Sequence, residues 1–123
     1  MPDKIREETR QLLQHDNVYI GTARTALTGA VVERKIRYIT TITLFGDGVA
    51  TRTVWIEKLE EDGTTYTKKY DGISVPPTGT EQIPKEGRDI ENPILVLEGG
   101  ARPYGRVSGN SLNATIEYWD NDI

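Results

Sequence analysis

At 123 residues, with a formal net charge of −4 and no cysteine, the chain has room for one domain with a real core but none for a separate catalytic lobe. The acidic balance argues against duplex nucleic acid as the main partner, because phosphate binding needs lysine and arginine clustered on one face. Without thiols, disulfide stapling and thiolate metal chemistry are excluded, while abundant threonine beside a single phenylalanine and a single methionine points to thin β layers.

The first sixteen residues read as an N-terminal helix or arm. Asp3 is placed to cap it, Glu7 and Glu8 complement its positive end, and Ile5, Thr9, Leu12 and Leu13 share one face. Three turns ending near His15, Asp16 and Asn17 are expected, and so short a helix needs a surface to dock on, in its own chain or in a neighbour. This start has no apolar signal core, and no run approaches the length that spans a bilayer. Synthesis in a cytoplasm and no membrane partner are therefore expected.

From residue 17 the apolar period changes from helical to two, and residues 17–123 are expected to form one β domain. Residues 18–23 read as a strand and 26–30 as the loop after it. Residues 36–45 carry apolar weight on both faces, as a central strand does. The Gly46-Asp47-Gly48 corner suggests a hairpin with a return strand over 49–59, which contains Trp55. Asp62-Gly63 is a second reversal before residues 66–70, and Asp71-Gly72 a third before 73–75. Residues 76–92 are rich in proline, glycine and charge and read as a long irregular connection in which only Gln82 and Ile83 suggest order; a connection of that length is a candidate for contacts made on assembly. The tail then gives strand (93–98), glycine corner, strand, polar turn and a last strand ending near Trp119. Strands recurring without alternating helices indicate an all-β antiparallel β-sandwich, jelly-roll-like, with one short N-terminal α-helix.

No catalytic constellation is visible, and the chain is expected to be no enzyme and to need no cofactor. His15 is the single histidine, at the expected helix end where its charge would complement the dipole, so a triad has no base and a cupin-type site no metal set. The acidic groups at 60–62, 89–91 and 120–122 lack the oxygen-ligand spacing of a calcium loop, and Gly99, Gly100, Gly105 and Gly109 precede no helix that could cradle phosphate. What remains are contact residues: Ile5, Thr9, Leu12 and Leu13 on the helix, Pro76, Pro77 and Ile83 in the connection, and the aromatics Tyr104 and Trp119. Alternation sends Tyr118 and Trp119 to opposite faces, one into the core and one to a surface or interface.

Four segments carry a resemblance. They are Val-Glu-Arg-Lys-Ile-Arg-Tyr-Ile at 32–39, Val-Trp-Ile at 54–56, Asn-Pro-Ile-Leu-Val-Leu-Glu-Gly-Gly at 92–100 and Arg-Val-Ser-Gly-Asn-Ser-Leu-Asn-Ala-Thr-Ile at 106–116. Together they resemble small β-sandwich proteins encoded among phage structural genes, over roughly residues 17–119. The chain departs from that group at Gly100-Ala101-Arg102-Pro103, where an acidic turn is more usual, and in its N-terminal helix. The resemblance implies a virion component without enzymatic activity: a capsid decoration or cement protein, or a head or tail accessory subunit bound to the major capsid or other virion proteins. A small sandwich with exposed edges gains from self-association, and a homotrimer is the expected oligomer. The competing expectation is a carbohydrate- or receptor-binding sandwich that uses an aromatic face.

Overall fold

The computed structural model describes residues 13–86 and 92–122. Within them the chain is all-β, with nine strands: β1 (Gln14–Ile20), β2 (Thr25–Ala26), β3 (Lys35–Phe45), β4 (Arg52–Leu59), β5 (Tyr66–Val75), β6 (Thr80–Ile83), β7 (Leu95–Glu98), β8 (Arg102–Val107) and β9 (Leu112–Asp122). They make two antiparallel sheets. The first runs β1-β9-β3-β6, with β7 also paired to β3, and the second runs β2-β8-β4-β5. Both contribute to a single sandwich-like core. Ile39, Ile42 and Leu44 of β3 and Leu112, Ala114 and Ile116 of β9 enter it from the first sheet, and Val54, Ile56, Val75 and Val107 enter from the second.

The period-two reading identifies most of these strands because burial follows it. β9 alternates Leu112, Ala114, Ile116 and Tyr118 inward along most of its length, and β8 does the same with Pro103, Gly105 and Val107. As expected, β3 is central: β9 lies along one edge, and β6 and β7 share the other. Its burial would break phase after Ile39, and a bulge at Thr40 restores it. The Thr40 hydroxyl is used there, donating to the Glu117 carboxylate at 2.9 Å.

Four expectations are corrected. The helix over residues 1–16 lies mostly outside the described residues, and its expected last turn is strand, since Gln14 to Asn17 pair with residues 118 to 115 of β9. His15 is therefore a strand residue with no helix dipole to cap. Thr25 and Ala26 pair with β8, so a short strand precedes the loop expected over 26–30.

The segments on either side of the Gly46 corner do not form a hairpin, because β3 and β4 belong to different sheets. Both strands have a strongly apolar face, and lying in facing sheets lets each bury it against the other. Asp71-Gly72 is no reversal either. It lies inside β5, where the pairing with β4 slips twice and Gly72 takes φ +89°, so the glycine serves a bulge. Only the Asp62-Gly63 turn joins neighbours in one sheet as expected.

A candidate interaction face

The outward side of the second sheet gathers the groups best suited to recognition. With Val54 and Ile56 turned into the core, Trp55, Glu57 and Leu59 of β4 face away from it, and Arg102, Tyr104 and Arg106 of β8 do likewise. Register sets Trp55 beside Arg106 and Glu57 beside Tyr104, while Tyr66 at the start of β5 lies opposite Leu59. Each strand thus supplies alternate members of one mosaic.

Glu57 is its centre. Although it stands on an outer face, the residue is only 5% exposed, and a carboxylate so enclosed must be paired. Arg24, from the connection between β1 and β2, does this with two bonds, Nε to Oε1 at 3.1 Å and Nη2 to Oε2 at 3.2 Å. Those bonds also raise the Arg24 pKa above its ordinary value. The same guanidinium lies 3.9 Å from the centre of the Tyr66 ring, and Tyr66 meets Tyr104 edge to face at 5.6 Å. On the other side Arg106 covers Trp55 at 4.2 Å, with its Nε 4.0 Å from Glu57. Cation, ring and carboxylate contacts therefore hold Arg24, Tyr66, Tyr104, Trp55 and Arg106 in place before any partner arrives. Tryptophan, tyrosine and arginine are the side chains that dominate binding hot spots.

The contact residues expected from sequence are dispersed. Tyr104 belongs to this mosaic. Trp119 lies on the outward side of the other sheet, stacked on Tyr38 with ring centres 4.4 Å apart and planes at 21°. Ile83 is a core residue and offers no side chain to a partner. Pro77 accepts a hydrogen bond from the Gly48 N–H at 2.8 Å, and Pro76 is exposed beside it. Leu13 is half-buried at the entry to β1, and Ile5, Thr9 and Leu12 lie outside the described residues. Tyr118 does enter the core, opposite in orientation to Trp119.

Arg24, Glu57, Tyr66 and Arg106 were not singled out from sequence. For Glu57 and Arg106 the signal was present, since each lies two positions from a noted aromatic, Trp55 or Tyr104, and shares its face. Arg24 gave none, because its partner is 33 residues away.

The acidic tail is organised around Arg37, whose guanidinium binds Asp120 at 2.7 and 2.9 Å and also reaches the Thr28 hydroxyl and Gly29 carbonyl. Among the described residues no group of three or more histidine or acidic side chains is arranged to hold a metal ion. A shallow groove of about 300 Å³ beside β6 is lined in part by Tyr70, Ile73, Gln82 and Pro84. Compared with known proteins, the sequence matches no family model, and no curated protein matches it significantly.

Proposed function

We propose that this chain is a non-enzymatic virion structural protein, a capsid decoration or head–tail accessory subunit, which adheres to its neighbours through the outward face of the second sheet. The observation that carries the contact role is the fixed mosaic of Trp55, Tyr66 and Tyr104 with Arg24 and Arg106 around the enclosed Glu57 carboxylate. Its residue types are those of protein interfaces, and their preset positions lower the entropy cost of docking. The virion assignment rests on the resemblance of residues 17–119 to small phage structural sandwiches. In this reading the two sheets form a jelly-roll-like sandwich, and the working unit is a homotrimer seated on capsid or tail proteins.

Co-sedimentation with assembled tailed-phage shells tests the proposal. The full chain is expected to travel with the shells and Arg106→Glu to remain behind with its fold intact by circular dichroism; a chain indifferent to every shell would overturn it. The aromatic face also favours a second reading, a glycan- or receptor-binding module. Sugar stacking needs an open ring face, and one face each of Trp55 and Tyr66 already lies under a guanidinium. Glycan-array binding lost on Tyr104→Ala, without shell binding, would decide for that reading.

A further inference from the structure

Among the described residues, the outward side of the first sheet is fully buried at one spot. Elsewhere on it side chains are exposed or half-buried, with Tyr19 71% and Val96 42% exposed. Around β9 the picture reverses: Thr41 is 6% exposed and Glu117 7%, although both point away from the core and no described strand is layered over them. Trp119 is next to them, with one indole face against Tyr38. Its Nε1–H is buried, and among the described residues it finds no acceptor. A buried donor of this kind needs a partner, as an unmatched one is costly.

We propose that this spot is the docking site of the chain's own N-terminal segment, residues 1–12, lying across Trp119 and Glu117. The point of entry favours that occupant. Gln14 is the first residue paired in β1, opposite Tyr118, so the chain joins the sheet within one position of Trp119. Twelve residues span about 18 Å even when helical, at about 1.5 Å per residue, which is ample for a site adjacent to their own attachment point. The tether also gives the segment an effective concentration that a free partner lacks.

Chemistry agrees with position. The sequence of residues 1–12 offers Ile5 and Leu12 as apolar groups suited to the Tyr38–Trp119 stack, backbone carbonyls as acceptors for the indole N–H, and Arg6 and Arg10 as cations complementary to the Glu117 carboxylate. Glu117 also binds His15 at 2.9 Å and the Thr40 hydroxyl. That anchors its carboxylate on the side from which the segment enters. The inference concerns the sheet opposite the proposed contact face and stands independently of the virion role.

The test uses the full chain with Trp55→Phe, which leaves Trp119 as the single tryptophan, excited selectively at the red edge of its absorption where tyrosine does not absorb. Its emission is expected to be blue-shifted and weakly quenched by acrylamide, and adding Ile5→Asp with Leu12→Asp should raise the quenching constant severalfold. An unchanged constant would overturn the proposal. Should that variant not fold, the unaltered chain decides by nuclear Overhauser contacts from the Trp119 indole N–H. Contacts to the Ile5 or Leu12 methyls within one labelled copy support the proposal. Contacts seen only between differently labelled copies, or none to residues 1–12, refute it.

Discussion

Asp47 shows how much one side chain can organise. Its carboxylate accepts the backbone N–H groups of Val49 at 2.8 Å and Ala50 at 3.1 Å, the Arg52 Nε at 2.7 Å and the Asn110 amide at 3.2 Å. The Val49 bond first, and Arg52 next, hold its pKa well below the usual carboxylate range. A depressed folded pKa means stability that is fully present above the unfolded value, near 4, and lost as pH falls through the folded one. Asp62, whose pKa the Thr65 hydroxyl and the backbone of the Asp62-Gly63 turn hold down to about 2, behaves in the same direction. Asp47→Asn is therefore expected to lower urea stability at pH 7, with the gap from the unaltered protein narrowing steadily below pH 4. A gap independent of pH would show that ionisation of Asp47 does not matter. A turn role for Asp47 was legible in its Gly-Asp-Gly setting; the bond to Asn110, 63 positions away, was not.

Strand elements were the most legible part of the chain, and their partners the least. Alternation in β3, β8 and β9 shows which side of each strand is apolar, but it is silent on which strand comes next to it. The Gly46 corner makes the point. Positive-φ glycine at Gly48 suits a hairpin and equally suits the step between sheets that occurs, and the choice rests on contacts some 30 residues away. Gly46 donates to the Gly79 carbonyl at 3.0 Å, and a Cβ on it would collide with the Pro76 and Pro77 carbonyl oxygens. These are backbone atoms that cannot rotate aside. Gly46→Ala should thus cost about 2 kcal/mol in urea unfolding, as overpacking of a closed site does. A loss no larger than that of an exposed alanine substitution would contradict the close approach. The candidate face was half legible for the same reason: β4 and β8 each reveal their outward residues, while their adjacency, and the arrival of Arg24, arise only from the pairing.

Across the molecule, the path of the chain binds the two sheets into one unit. β1, β3, β6, β7 and β9 belong to the first sheet and β2, β4, β5 and β8 to the second, so six of the eight connections between successive strands cross from one sheet to the other. Neither sheet can come apart without stretching the loops that hold the other, and the core they share would be exposed at once. Trp119 reports on the first sheet and Trp55 on the second. Urea transitions followed by fluorescence in Trp55→Phe and Trp119→Phe should each coincide with the loss of far-ultraviolet circular dichroism. A separation of the optical and dichroism midpoints would mean that the sheets melt independently.

The bulged strand β5 closes one side of the second sheet with ten residues, several of them charged: Lys68, Lys69 and Asp71 are all exposed. A long straight rim of that kind would be a template for open-ended polymerisation, each copy adding to the last like a zipper. Two slips of register and the adjacent charged pair Lys68 and Lys69 spoil the template. Growth by strand addition is thereby discouraged, and association is left to broad surfaces that saturate once they are covered.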